Sequence, residues 1–173
     1  VSEFDTLDEY KADIKAKLAK KNEEEADKAF ENAIVEKLMD LLVAEIPEPM
    51  FEAETENYVR DYDTRLRQNG LDLNTYFKYT GLTLDALRAE MRPQAEKQVK
   101  IRLALEKVAE LEAIEVSEKE IDDEYARIAS VYNVAVEDVK RMILAEDVAA
   151  DLKVAGAMKK VKEYAKANAK ASK

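Results

Sequence analysis

The chain has 173 residues, 47% of them apolar and 38% charged, with only three glycines, three prolines and no tryptophan, which is the composition of long helices and argues against a mixed or sheet-rich fold. A formal net charge of -10 opposes nucleic acid and anionic membranes at long range. The absence of histidine and cysteine excludes imidazole metal motifs, Ser-His and Cys-His nucleophiles and any disulfide framework.

Val1-Ser2-Glu3-Phe4 is neither a signal peptide nor an initiator methionine, so a longer parent chain is expected. Thr6-Leu7-Asp8-Glu9 has the form of a capping box, in which the threonine oxygen and the glutamate carboxylate satisfy amide donors reciprocally. A helix is predicted to start there. Leu7, Tyr10, Ile14 and Leu18 keep one face, and Phe30, Ile34, Leu38 and Leu41 resume it. Between them Lys20 to Lys28 offers only Ala26 to a core, so the middle of the rod is predicted to be solvated. Unbroken to Val43, it would run roughly 55 Å at 1.5 Å per residue, giving an elongated molecule.

Glu45-Ile46-Pro47-Glu48-Pro49-Met50 is a two-proline break that sets how two rods diverge. Beyond it Met50, Glu54, Tyr58, Tyr62 and Leu66 recur at spacings of four, and Gly70 occupies a left-handed helix terminus. Asp72 caps a short helix through Tyr79, which Gly81 closes. Thr83 opens a helix with the stripe Leu84, Leu87, Met91, Ala95 and Val99, and Pro93 predicts a kink or break near Ala89 to Arg92. Ile101, Leu103, Leu105, Val108 and Leu111 crowd more than one face, as expected of a helix lying against two neighbours. Ser117-Glu118-Lys119-Glu120 is a second capping box, starting a helix with Ile121, Tyr125, Ile128 and Val131 on one side and ending near Asn133. Val136, Val139, Met142 and Ile143 mark a short helix, and Val148, Leu152, Val154, Met158 and Val161 the last. Lys159 to Lys173 carries six lysines and is expected to fray.

The acidic groups Glu52-Ala53-Glu54-Thr55-Glu56, Asp61-Tyr62-Asp63 and Asp122-Asp123-Glu124 lack the glycine-bearing spacing of a calcium loop and point to several faces of a helix, so they read as solvated charge. Arg88, Arg92, Lys97, Lys100 and Arg102 form either a stripe for an anion or, with interleaved Glu90 and Glu96, a salt-bridged face. No catalytic residue, metal ligand or cofactor is expected.

The order of these segments, from Val1-Ser2-Glu3-Phe4 and the long helix through the two-proline turn, Arg65-Leu66-Arg67-Gln68-Asn69-Gly70, Tyr79-Thr80-Gly81, Arg92-Pro93-Gln94-Ala95-Glu96 and Ile114-Glu115-Val116-Ser117, resembles the carboxy-terminal domain of trigger factor. That family is the bacterial chaperone meeting nascent chains at the ribosome exit. The resemblance covers essentially the whole chain. It implies an all-α fold with an elongated body and two protruding helical arms forming a cradle, an architecture shared with some periplasmic chaperones. Residues 1–45 would be the long body helix, 46–115 the first arm with its returning helix, and 116–173 the second arm and last helix, the arms beginning near Ile46 and Val116. It also implies an ATP-independent, cytoplasmic chaperone whose partners are unfolded or nascent polypeptides. Neither the family's ribosome-docking signature nor its sheet-rich prolyl isomerase sequence occurs here, so docking and isomerisation are not carried over. Ala135 replaces an expected capping serine, weakening that helix start.

The expected client-binding residues are Met50, Phe51, Tyr58, Tyr62, Tyr76, Phe77, Tyr79, Leu82, Met91, Tyr132 and Met142, because aromatic rings and thioethers adapt to varied apolar partners. The alternative is a self-associating module, such as a homodimer, whose stripes form a seam; the breaks at Pro47, Gly70, Gly81 and Pro93 interrupt the heptads it would need.

Overall fold

The computed structural model describes residues 6–171, so Val1-Ser2-Glu3-Phe4 and the last two tail residues lie outside the described residues. Seven helices follow in order: α1 (Leu7–Leu41), α2 (Glu48–Gln68), α3 (Leu73–Thr80), α4 (Leu84–Leu111), α5 (Glu118–Tyr132), α6 (Val136–Met142) and α7 (Ala145–Ala171). No strand occurs among the described residues. No helix among them is long and apolar enough to cross a membrane.

Local chemistry sets the boundaries. Thr6 with Glu9 and Ser117 with Glu120 form complete capping boxes at the starts of α1 and α5. Asp72 accepts from the Thr75 amide and Thr83 from that of Ala86. Ala135 makes no side-chain cap bond at the start of α6. Three helices end in the same left-handed motif. The Leu71 amide reaches Leu66 O (2.9 Å), Ile114 reaches Ala109 O (2.9 Å) and Val134 reaches Ala129 O (3.0 Å). The residues at the left-handed position are Gly70 (φ 75°), Ala113 (φ 47°) and Asn133 (φ 54°).

Two differences from the sequence reading have physical causes. Pro93 neither breaks nor ends α4, which runs from Leu84 to Leu111 through it. Proline costs the helix one amide, but Leu87, Ala95 and Val99 on either side are buried and hold the axis together. On α2 the buried positions are Thr55 and Val59, one residue round from the predicted Glu54 and Tyr58. Thr55 fits because its hydroxyl donates to Phe51 O at 2.7 Å, leaving no unpaired polar group in the contact. Leu41, Leu111 and Val131, expected on packed faces, are exposed. The lysine-rich end is helical as far as Ala171.

α4 is the organising element. Its first half packs along α2, and its second half meets α7 and the end of α1. Leu105, Ala109 and Ala157 form one buried cluster, flanked by Leu38, Ile101 and Met158. Tyr125, Ala129, Val139 and Val148 form another, where α5 and α6 close on the start of α7. Both interiors are thin: among the described residues the largest well-buried side chains are Leu87, Leu105 and Tyr125, each 3% exposed. The total surface is 13172 Å², against about 8,600 Å² for a compact chain of 19.6 kDa. Among the described elements, α4 and α7 hold the second half of α1. From Leu7 to Ala29 every side chain is exposed except the half-buried Asp13.

Candidate functional site

The turn after α2 brings α3 back across the outer ends of α2 and α4. Asp63 Oδ1 accepts from the Leu73 amide at 3.3 Å, fixing the start of α3, and the Tyr62 and Tyr76 rings meet edge to face with centroids 5.5 Å apart. Tyr76 continues to Phe77 at 6.0 Å. Tyr58, Tyr62, Tyr76, Leu87 and Met91 line a cleft of roughly 300 Å³ whose rim carries Arg65 and Glu90. Hydrogen bonding with Tyr76, aided by burial, raises the Tyr62 phenol above its ordinary value, so the cleft is neutral inside at physiological pH. One cationic and one anionic side chain at its mouth leave it without a preferred sign.

Two further concavities follow the helices. Met50, Ala53, Val99 and Leu103 border a groove of about 310 Å³ between α2 and α4. Ala109, Ala113, Ile114, Ala150 and Val154 border another, of about 410 Å³, where α4 hands over to α5 beside α7. The sequence reading missed this last surface. Its residues are small or β-branched and individually unremarkable, and only the left-handed turn at Ala113 gathers them.

Of the eleven predicted residues, Tyr58, Tyr62, Tyr76 and Met91 share the cleft, and Met50 lies in the α2–α4 groove. Phe51 is half-buried beneath the Arg92 guanidinium, 5.4 Å from its ring centroid. Phe77 and Leu82 are half-buried, and Tyr79 is exposed near the cleft in sequence. Tyr132 and Met142 stand 74% and 84% exposed on the distant α5–α6 unit, where they are joined by exposed Val131, Val134 and Leu144.

The arginines resolve into ion pairs. Arg88 Nε meets Glu56 at 2.5 Å, and Arg92 joins Glu48 and Glu96 at 2.6 Å each. The cross-helix partners come from α2, not from Glu90, so this face staples α4 to α2. Hydrogen bonding to these carboxylates raises both guanidinium values further above their ordinary range. Asp122, Asp123 and Glu124 pair separately with Lys140, Lys119 and Arg127. Among the described residues no cluster of three or more carboxylates is arranged to hold a metal ion.

The profile of the bacterial trigger factor protein carboxy-terminus matches residues 6–167. Trigger factor 1 of Desulfitobacterium hafniense is 41% identical over 145 residues, 84% of this chain and 34% of the relative. Trigger factor of Lachnoclostridium phytofermentans is 41% identical over 143 residues, 83% of this chain and 33% of the relative. That of Clostridium kluyveri is 42% identical over 142 residues, covering 82% and 33% respectively. The chain thus spans about a third of the length of the curated relatives it matches. No solved structure matches it.

Proposed function

Since the chain belongs to the family of the bacterial trigger factor carboxy-terminus, we propose that it is a non-catalytic, ATP-independent chaperone region that holds unfolded or nascent polypeptide in a cytoplasmic setting. The observation that supports this reading is the half-buried cleft of Tyr58, Tyr62, Tyr76 and Met91 between α2, α3 and α4. The α2–α3–α4 unit and the α5–α6 unit act as the two arms of a cradle, with the α4–α7 junction as its floor.

Magnitudes favour several weak sites over one strong one. A buried leucine- or phenylalanine-sized client side chain contributes about 1.5–3 kcal/mol, whereas micromolar affinity needs about 8 kcal/mol after ordering costs. The tyrosine cleft, the two grooves and the exposed Tyr132–Met142 surface together supply that through avidity, and each alone releases quickly. Contact with the ribosome belongs, in this reading, to sequence outside this chain.

The test compares aggregation suppression and folding side by side. Tyr62→Ser with Tyr76→Ser removes the cleft, and Tyr79→Ser, at an 83% exposed position, serves as the variant that leaves packing untouched. Suppression of a denatured client should fall several-fold in the cleft variant while its circular dichroism stays helical. Unchanged suppression by a folded cleft variant would remove the tyrosines from the client surface.

A further inference from the structure

α3 roofs the tyrosine cleft and is the least anchored of the seven described helices. Each of the other six buries at least one side chain, from Ile34 on α1 to Ala157 on α7, whereas none of the eight residues of α3 is buried. Leu73, Thr75, Tyr76 and Phe77 are half-buried, and the rest of the helix faces solvent. The ion pairs of Arg88 with Glu56 and of Arg92 with Glu48 staple α4 to α2 and bypass α3. What ties α3 to α2 is the Leu73 amide on Asp63 Oδ1, long at 3.3 Å, and the edge-to-face contact of Tyr76 with Tyr62.

Within the helix the bonding is complete. Asp72 Oδ1 accepts from the Thr75 amide at 2.8 Å, while the Thr80 hydroxyl donates to Tyr76 O and the Gly81 amide to Phe77 O, both at 2.9 Å. α3 can therefore move as one piece without freeing unpaired backbone groups. On either side stands a glycine in the left-handed region, Gly70 at φ 75° and Gly81 at φ 72°, and a Cβ added to either would meet nothing within 4 Å. Connections with such space around them absorb the backbone rotation of a hinge. The cleft beneath, about 300 Å³, lies at the lower limit of ligand pockets, which span about 300–1,000 Å³. It admits one side chain of modest size as it stands, and a bulky anchor needs the roof raised.

We propose that α3 is a lid, swinging on Gly70 and Gly81 to admit a client side chain and closing Tyr76 over it against Tyr58, Tyr62 and Met91. The inference rests on the cleft reading above and adds how the cleft opens and sorts its occupants by size. Closure lays an aromatic face on the client, and the thin attachment of α3 keeps release fast. A lid differs from a fixed wall in its kinetics: loosening a lid speeds entry and exit together, whereas loosening a wall speeds exit alone.

The experiment uses the 173-residue chain and two fluorescent peptides identical but for their anchors, phenylalanines in one and valines in the other. Native-state hydrogen exchange of the free chain should show the Tyr76 to Gly81 amides opening about a hundredfold more often than those of Val99 to Leu103 in α4, through motions that low urea does not accelerate. Adding the phenylalanine peptide should slow that exchange. Asp63→Ala, which removes the tie to Leu73, should raise the association and dissociation rates of the phenylalanine peptide several-fold each, leaving its Kd nearly unchanged and the valine peptide unaffected. Amides of α3 that open only with global unfolding, an association rate that stays at the parent value in Asp63→Ala, or equal gains for both peptides would each overturn the lid. Any of those results alongside lost phenylalanine-peptide binding in the Tyr62→Ser, Tyr76→Ser variant would leave the cleft reading standing. Binding that survives in that variant would remove the cleft and the lid together.

Discussion

Ala113 holds φ 47°, a conformation in which a Cβ crowds the following carbonyl. The neighbouring motifs place Gly70 and Asn133 at the equivalent position, so alanine there is the strained member of the set. Ala113→Gly should raise stability by up to about 1 kcal/mol in urea unfolding, because the strain relieved exceeds the entropy gained by the unfolded chain. Tyr125 tests the opposite direction. Its ring is 3% exposed and its hydroxyl donates to Ile143 O at 2.9 Å, so Tyr125→Phe leaves that carbonyl short of a partner and should cost about 1–2 kcal/mol. Glu120 gives a pH signature. Hydrogen bonds from the Ser117 hydroxyl and amide hold its carboxyl below the ordinary value of 4.5, so the cap's contribution is present above that value and lost as pH falls through the lowered one. The protection of the Ser117 amide relative to its intrinsic exchange rate should therefore fall on acidification below that range, and Glu120→Gln should flatten the response. These local features were the most legible in the sequence, because a capping box is written within four residues. Thr55 was not: flanked by Glu54 and Glu56 it reads as surface, and its burial depends on a hydroxyl turning back to Phe51 O.

At the level of elements, α1 and α7 are joined by a charged clasp. Lys162, 17% exposed, reaches Asp27 at 3.0 Å and Glu31 at 2.6 Å, and Lys166 reaches Asp27 at 3.6 Å. The hydrogen bond from Lys162 is the main reason the Asp27 carboxyl sits below its ordinary value. Its contribution is complete above the ordinary carboxylate range and disappears as pH falls through the lowered one. Lys162→Ala should loosen the docked half of α1, seen as faster hydrogen exchange from Asp27 to Leu38, with α5 and α6 unaffected. High salt should produce part of the same change in the parent chain. Closer in, α7 passes the end of α4 at Gly156, where an added Cβ would lie 3.1 Å from Ile114 Cγ2. Gly156→Val should cost about 1–3 kcal/mol by pushing Ile114 out of its seat. Helix existence was readable from periodicity and caps, but the α2 register and the continuity of α4 were not. The face buried on α2 is chosen by α4, and Pro93 is carried through by apolar residues on both sides of it.

For the whole molecule, the sequence announced length and helicity, and the resemblance supplied the order of parts. What it could not supply is which stripes find partners. Ile14 and Leu18 have the same spacing as the packed Phe30, Ile34 and Leu38 further along α1, and the position of α4 and α7 separates the two sets. The tyrosines behind α3 are likewise distinguished from core by geometry that local pattern does not encode. The two buried clusters communicate mainly through α7, which contributes Val148 to one and Ala157 to the other. Leu105→Ala should cost about 2–5 kcal/mol and open the α1–α4–α7 contacts first, leaving α5 and α6 protected to higher denaturant by hydrogen exchange.

A fold that already leaves so much of its surface in water has comparatively little fresh apolar area to hydrate when it melts. Its calorimetric heat-capacity step should fall below the usual ~12–15 cal/mol/K per residue, giving a shallow stability curve that changes slowly between a cold and a warm cell.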